Sequence, residues 1–384
     1  ALFGILQVNI QSFVWGAGDP LGYFLALPSA LDAATHLAVG TLVAGKFLSI
    51  FAFLFGFGAA LQFKALRRRA AVAAPAASVV QALAAYRRRL RFLLAVGIAH
   101  GLLLYYGDIL TFYALCGFLL APLLAQRPAR LLRLALLMWA LAAAIAVGAA
   151  AVVEAARDAM EQPDRIPPEV LEAFGTYAAG TYLEQLPQRA ADFFNVLMSM
   201  LLLALPQVLG LFLLGMLAAR LGWLARPQRY RRLWRAATVL GVLALPVAAA
   251  GAWLTFSSVV QEPGLPNAAG YAVQFFGTAV ACLYVAAFVR LRGRPAVAAV
   301  IRWLAPAGRM PLTNYLLQSV AMGALLSGWG LGWGESVSRA QLALLALAIV
   351  LVQIAVSRAW IVRFGQGPIE ALWRRATYGA QKPR

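Results

Sequence analysis

The chain has 384 residues, of which 62% are hydrophobic and 12% are charged, and its net charge is +19. Soluble domains carry about 25% charged residues, so the composition excludes that class and indicates a polytopic membrane protein. Basic cytoplasmic loops that face anionic lipid explain the positive charge, so we expect the lipid bilayer as a partner and no nucleic acid.

A membrane-spanning helix needs about 20 apolar residues, and the sequence contains about ten such stretches. We therefore predict an all-α polytopic membrane protein with a single transmembrane domain over residues 1–384. The predicted helices cover, in chain order, about 1–16, 38–63, 89–106, 108–125, 130–153, 192–219, 233–256, 269–291, 303–328 and 339–362. Two outer loops (17–37 and 154–191), a cytoplasmic linker (64–88) and a cytoplasmic C-terminal tail (363–384) complete the chain.

The basic residues predict the orientation of these helices. Lys and Arg gather at every second connection, where 28 of the 33 are found. The clusters are Lys64 to Arg69, Arg87 to Arg91, Arg127 to Arg133, Arg220 to Arg235, Arg290 to Arg309, and Arg358 to the C-terminus. Cytoplasmic loops retain Lys and Arg during insertion, so we predict that both termini lie in the cytoplasm. The acidic segment 154–191 is expected to form a helical hairpin or cap on the outer face.

Ionisable side chains at membrane depth are rare and are candidates for function. His100 precedes Asp108 by eight residues, which places it roughly 12 Å below the outer turn at 1.5 Å per residue. His100 is either a core histidine bonded to a neighbouring carbonyl, or a base, proton relay or ligand. Asp108 either caps the next helix or orients the imidazole of His100, and the two roles can coexist.

Two further polar side chains are predicted at a similar depth. Lys46 either extends outward to the membrane interface or places a positive charge in the bundle interior. Asn9 either bonds a neighbouring helix or donates to a developing oxyanion. We expect His100, Asn9 and Lys46 to face one cavity in the outer half of the bundle.

A polar stripe opens the ninth predicted helix. Asn314 and Gln318 are four residues apart and therefore share one helix face, and Arg309 lies near the inner surface. The stripe lines either a cavity or a helix seam, and a cavity with Arg309 at its mouth would admit an anionic ligand from the cytoplasm. A second basic cluster is either a topogenic signal or a phosphate site: Arg87, Arg88, Arg89 and Arg91.

Several catalytic signatures are absent from the sequence. It contains no Gly-rich phosphate loop, no His-x-x-His pair and no Cys cluster, so we expect no metal cofactor. The G-x-S-x-G nucleophile elbow is also absent. The lack of paired intramembrane acids disfavours a proton-coupled pump. Cys116 and Cys282 each lie inside an apolar stretch, so we expect no structural disulfide.

Segments from end to end of the chain resemble the YeiB-like family of bacterial inner-membrane proteins, which is defined by a domain of unknown function. They are ALFGILQVNIQSF, KFLSIFAFLFGFGAALQ, RRLRFLLAVGIAHGLLLYYGDILTFYALCGFLL, LFLLGMLAARLGWL, GRMPLTNYLLQS with GLGWG, and GPIEALWRRATYG. The resemblance implies a multi-pass protein of the bacterial inner membrane. The family is in turn similar to transmembrane acyltransferases, which move an acyl group from cytoplasmic acyl-CoA to an outer sugar with an intramembrane His and Asn. His100 and Asn9 are the matching positions.

The expected function is therefore transfer of an acyl group from cytoplasmic acyl-CoA to a sugar, or another hydroxyl or amine compound, at the outer side. His100 is the expected general base, Asp108 holds its tautomer, and Asn9 and Lys46 stabilise the oxyanion. The residues expected to hold acyl-CoA are Arg309, Asn314, Gln318, Arg87, Arg88 and Arg91.

The expected partners of the site are a small-molecule donor and a small-molecule acceptor, and the sequence is compatible with a homodimer. The alternative function is a transporter or exporter of a small anionic metabolite, with the same side chains lining its path. A membrane scaffold without catalysis is the third interpretation, in which the polar residues only hold helices together.

Overall fold

A computed structural model describes residues 1–17, 29–73, 76–157, 168–261 and 268–378. Within these ranges every regular element is a helix, which confirms the predicted all-α fold. The α-helices are α1 Leu2–Ser12, α2 Ala30–Leu42, α3 Lys46–Ala73, α4 Ser78–Leu103, α5 Leu110–Leu120, α6 Pro128–Arg157, α7 Pro168–Ala179, α8 Gln185–Ser199, α9 Leu205–Leu221, α10 Arg231–Gln261, α11 Ala268–Leu291, α12 Pro295–Gly308, α13 Pro311–Leu326, α14 Arg339–Phe364 and α15 Pro368–Tyr378. Short 3₁₀ or π segments cover Ala121–Ala125, Met200–Ala204, Pro227–Tyr230 and Trp333–Glu335.

Within the part of the chain that the structure describes, five helical segments are long and apolar enough to cross a membrane, which supports the multi-pass class. They are Ala30–Val72, Pro128–Val152, Gln185–Leu221, Pro227–Phe256 and Arg339–Phe364. A sixth arises if the pair Phe275–Leu291 and Pro295–Gly308, bent by 111°, forms one broken span. The apolar helix Leu110–Ala125 is shorter. The number of ten spans and the side on which the termini lie therefore stay predictions.

Several predicted boundaries are wrong for local reasons. The predicted helix 38–63 is two helices, α2 and α3, because Gly45 adopts a left-handed conformation (φ 76°) between them. The predicted helix 303–328 is divided into α12 and α13 before Pro311, since a residue that precedes proline disfavours helical geometry. The linker 64–88 is largely helical, because α3 and α4 extend through it.

The predicted loops and tail also contain helices. The segment 154–191 contains α7 and the start of α8, and the tail contains α15. Parts of the predicted loops and tail, at 18–28, 158–167 and 379–384, lie outside the described residues.

The central helices approach one another closely at two glycines. A Cβ atom at Gly56 of α3 would collide with the carbonyl oxygen of Phe212 in α9. A Cβ atom at Gly215 of α9 would collide with the carbonyl oxygen of Phe53 in α3. Small residues are the usual means by which helices pack backbone to backbone in lipid, so this pair sets the α3–α9 contact at the centre of the bundle.

Basic residues from separate parts of the chain meet at one end of the bundle. Lys64, Arg67 and Arg68 of α3 and Arg220 of α9 line a common cavity of about 490 Å³. We call this end the basic end, and the opposite end, where α3 begins and α4 terminates, the far end. The meeting of these basic residues at one end agrees with the finding that Lys and Arg gather at every second connection of the sequence.

Cysteine labelling in intact cells tests the predicted orientation. In a background carrying Cys116→Ala and Cys282→Ala, a membrane-impermeant maleimide should label Glu172→Cys in α7 and spare Gln228→Cys at the basic end. Both positions are exposed, and basic segments are retained in the cytoplasm. Permeabilised cells provide the control, since both variants should then react. Labelling of Gln228→Cys alone in intact cells would show that the orientation in the membrane is opposite to the predicted one.

Candidate functional site

Three polar side chains form a hydrogen-bonded array inside the apolar bundle. The Nδ1 atom of His100 lies 2.8 Å from Oδ1 of Asp108, and its Nε2 atom lies 2.8 Å from Oγ of Ser319. All three residues expose at most 2% of their surface. The carboxylate favours the proton on Nδ1, so the neutral imidazole presents its Nε2 lone pair to the serine hydroxyl.

The turn between α4 and α5 positions Asp108. Its Oδ2 atom accepts a hydrogen bond of 2.7 Å from the backbone N–H of Thr111, in the first turn of α5. Its Oδ1 atom faces His100 in the last turn of α4. The carboxylate therefore combines the geometry of a helix cap with that of an orienting group for the imidazole.

A glycine one turn before His100 permits this arrangement. A Cβ atom at Gly97 would lie 2.5 Å from the backbone nitrogen of Thr111 and 3.0 Å from Oδ2 of Asp108. A contact of 2.5 Å is sterically excluded, and one of 3.0 Å is tight. The α4 backbone reaches the turn only because position 97 has no side chain.

The serine belongs to α13, whose N-terminus is held by the C-terminal helix α15. Oε1 of Glu370 accepts hydrogen bonds from the backbone N–H groups of Leu312 (2.7 Å) and Thr313 (3.0 Å). Oε2 accepts from the Thr313 hydroxyl at 2.6 Å. A carboxylate here satisfies N–H groups without a helical partner and interacts favourably with the helix dipole. Glu370 therefore fixes the helix that carries Tyr315 and Ser319.

Two cavities meet at Tyr315. The basic-side cavity, of about 310 Å³, is lined in part by Gln62, Tyr86, Arg89, Trp373 and Tyr315. The far-side cavity, of about 230 Å³, is lined in part by Asn9, Ser12, Tyr105, Tyr106 and Tyr315. The Tyr315 ring centroid lies 4.9 Å from that of His100. Tyr315 is thus a wall shared by both cavities, with the imidazole packed against it.

The order of lining residues along α4 shows that the cavities are stacked along the bundle. Tyr86 to Leu93 border the basic-side cavity, and the far-side cavity is bordered by Tyr105 just beyond the helix. His100 lies between these two sets, and its ring contacts both Tyr105 and Tyr315. The imidazole is therefore near the boundary of the two cavities, behind two tyrosine rings.

Of His100, Asn9 and Lys46, which were expected to face one cavity, only Asn9 lines the far-side cavity. Asn9 is half-buried and lines the far-side cavity. The Lys46 side chain is fully buried, but its Nζ atom donates to the carbonyl oxygen of Gly40 at 2.7 Å. That carbonyl belongs to the last turn of α2, where oxygens lack helical partners and favour a cation.

The polar stripe of α13 forms a helix seam, one of its two interpretations. Asn314 Nδ2 donates to Oγ of Ser357 at 3.1 Å, and Gln318 Nε2 donates to Oε1 of Gln353 at 3.0 Å. Gln353 Nε2 in turn donates to the Asn314 carbonyl oxygen at 2.9 Å. These buried amides are occupied by α14, and they do not border the three cavities described above.

The basic residues expected to hold acyl-CoA are all exposed. Arg309 is exposed and donates to the carbonyl oxygen of Gly365 at 2.6 Å. Arg88 is exposed and contacts the carbonyl oxygen of Thr377 at 3.5 Å. Arg87 and Arg91 are exposed.

Arg89, the remaining member of this cluster, borders the basic-side cavity. Its guanidinium carbon lies 3.3 Å from the Trp373 ring centroid. The Trp373 Nε1–H group donates to the Arg89 carbonyl oxygen at 2.9 Å. α15 therefore holds Arg89 at the cavity wall, as it holds the start of α13.

Sequence reasoning missed Ser319 and Tyr315 as site residues. Both lie in the segment GRMPLTNYLLQS, four residues apart and so on one helix face. That spacing was a usable signal, but the amides of Asn314 and Gln318 defined the neighbouring face more strongly. Among the described residues, no group of three or more His, Cys, Asp or Glu side chains has the arrangement of a metal site.

Comparison with known proteins supports the resemblance seen in the sequence. Residues 218–380 match the family described as "Protein of unknown function (DUF418)". The whole chain is 29% identical to "Uncharacterized protein YxaH" of Bacillus subtilis (strain 168), over 93% of that protein. It is 28% identical to "Uncharacterized protein YeiB" of Escherichia coli (strain K12), over 95% of that protein. No solved structure matches the chain. These findings confirm the YeiB-like resemblance, and none of these descriptions assigns an activity.

Substitution of Gly97 tests whether its missing side chain is required. We expect Gly97→Ala to lower the free energy of unfolding by about 1–3 kcal/mol, because the added methyl group overpacks the Asp108 turn. Thermal and denaturant unfolding of the detergent-solubilised protein measure this. Gly148→Ala in α6 is the control, since a Cβ atom there meets nothing within 4 Å. Equal stability of the two variants would contradict the close approach.

Proposed function

We propose that this YeiB-like chain is a transmembrane acyltransferase of the bacterial inner membrane. It would move an acyl group from cytoplasmic acyl-CoA to an acceptor at the outer side, a sugar or another hydroxyl or amine compound. One observation carries the proposal: a buried imidazole has a carboxylate on Nδ1 and a hydroxyl 2.8 Å from Nε2. An imidazole held in this way acts as a general base toward a hydroxyl or amine that attacks an acyl carbon.

The surroundings of His100 suit this chemistry. Asp108 keeps Nε2 free to accept a proton and stabilises the imidazolium that forms. Burial among Tyr105, Tyr315 and apolar helices excludes bulk water, which would hydrolyse an activated acyl group. In the low dielectric of this interior, the interaction between imidazolium and carboxylate is stronger than it would be in water.

The stacked cavities provide separate approaches for the two substrates. Acyl-CoA is an anion of the cytoplasm, and the basic-side cavity carries Arg89 in its wall. The acceptor would enter the far-side cavity, where the Asn9 amide provides a donor for a developing oxyanion. Lys46 has no part in this mechanism, because its ammonium is bonded to Gly40. A cavity of about 310 Å³ is at the lower end of the range for ligand pockets, roughly 300–1,000 Å³.

Transport of a small anionic metabolite is the second candidate, and the same stacked cavities favour it. Two chambers divided by one tyrosine resemble a path with a gate. Transport leaves its substrate chemically unchanged, whereas acyl transfer consumes the thioester. Proteoliposomes loaded with labelled acetyl-CoA, with a sugar acceptor outside, distinguish the two functions: an acyltransferase yields labelled acceptor and free CoA, whereas a transporter leaves the thioester intact.

Substitution of His100 tests the general base. His100→Gln should bind acetyl-CoA about as tightly as wild type and lose roughly 10²–10⁴-fold in transfer rate, because a general base acts mainly in the transition state. Calorimetry measures binding, and transfer of labelled acetyl to a panel of sugars measures the rate. His36→Gln is the matched control, because the other histidine packs near Phe256. A similar loss of transfer rate in both variants would contradict the role of His100 as the general base.

Two arginine variants locate the donor site. Arg89→Gln should weaken acetyl-CoA binding about tenfold or more, because a charge-assisted hydrogen bond contributes about 1.5–3 kcal/mol. Arg309→Gln should have a smaller effect, since its guanidinium lies at the exposed α12–α13 corner. Calorimetry on both variants checks this order. A larger effect at Arg309 would place the donor at that corner, as the sequence predicted.

A further inference from the structure

We propose that Ser319 is a catalytic nucleophile that carries the acyl group between donor and acceptor. The inference deepens the proposed function and rests on it. It adds a covalent acyl-serine to a mechanism that otherwise requires direct transfer. It also assigns a role to a hydroxyl that no sequence motif indicated.

The first support is the connectivity of the buried array. Ser319 Oγ faces Nε2 of His100, and Asp108 occupies Nδ1, each at 2.8 Å. This order of hydroxyl, imidazole and carboxylate is the one that activates serine in acyl transfer on unrelated folds, where it is recognised by geometry rather than by sequence position. Ser319 lies 219 residues from His100 in the chain, so tertiary packing alone creates it.

The second support is the separation of the two cavities by Tyr315. Direct transfer requires donor and acceptor to meet at His100 at the same moment. The wall at Tyr315 would then have to open to both cavities together. An acyl-serine removes that requirement, because each half-reaction needs access from one side only. Ser319 lies one helical turn beyond Tyr315 on the same face of α13. Rotation of the tyrosine ring would therefore uncover the serine and the imidazole together.

The chemistry balances in two steps. In the first, Nε2 of His100 takes the Ser319 hydroxyl proton while Oγ bonds to the thioester carbonyl carbon. The carbon–sulfur bond breaks, and the proton passes to the leaving thiolate as free CoA thiol. In the second, His100 takes a proton from the acceptor hydroxyl or amine, which bonds to the acyl carbon. The ester bond to Oγ breaks, and the proton returns to Ser319.

The test is to trap the acyl-serine. Full-length protein is incubated with acetyl-CoA or hexanoyl-CoA without acceptor, then analysed by intact mass and peptide mapping. We expect one acyl group per chain on Ser319, together with a burst of about one equivalent of CoA thiol. Ser319→Ala should give neither. Ser49→Ala is the matched control, because Ser49 is a second buried serine, bonded to Thr278 and Gly45. Its adduct and burst should equal those of wild type.

Further variants keep the outcomes distinct. Ser319→Cys should form a thioester adduct that a sugar acceptor then discharges, which would support the relay even if Ser319→Ala folds poorly. The serine relay would be overturned if wild type transfers acyl groups without any adduct and Ser319→Ala keeps a transfer rate within about threefold of wild type. The proposed acyltransferase function would then still stand. A wild-type protein that neither binds nor consumes either acyl-CoA would overturn the proposed function and the relay together.

Discussion

The hydrogen bonds of the Asp108 carboxylate are the constraint on which the site depends. A carboxylate inside an apolar bundle has no bulk water to solvate it, so protein donors must satisfy its oxygens. His100 supplies one donor and the Thr111 backbone supplies another. The first bond sets the tautomer and angle of the imidazole, and the second ties α5 to the end of α4. Gly97 allows the helices to come close enough for both bonds. The packing of α5 against the end of α4 and the orientation of Nε2 thus both depend on the Asp108 carboxylate.

Three distant segments of the chain build this one region. The α4 segment supplies His100 and Arg89, the α13 segment supplies Tyr315 and Ser319, and the C-terminal helix supplies Glu370 and Trp373. Glu370 anchors the first turn of α13, and Trp373 holds Arg89 at the cavity wall. The segments that resemble the YeiB-like family include this C-terminal helix, whose contacts include the start of α13 and Arg89. Its effect on the site is to position other helices.

Similar side chains take different roles because their neighbours differ. Asn314 and Gln318 pair with Ser357 and Gln353 of α14, so their amides stabilise a seam between two helices. Asn9 instead lines the far-side cavity. Polar groups at membrane depth are thus candidates for both packing and chemistry. The contacts of each group decide between these roles.

The sequence by itself determined the all-α membrane class and the accumulation of basic residues at every second connection. It gave the orientation of His100 by Asp108 only as one of two roles, and the structure places the two side chains 2.8 Å apart. Only the tertiary structure decided that Ser319 faces the imidazole, that Gly40 binds Lys46, and that Arg89 borders a cavity. The physical reason is that apolar length and helical period give the depth of a residue and the face it shares. They do not say which helix lies opposite that face. That choice depends on how helices pack, as at the glycine contacts between α3 and α9.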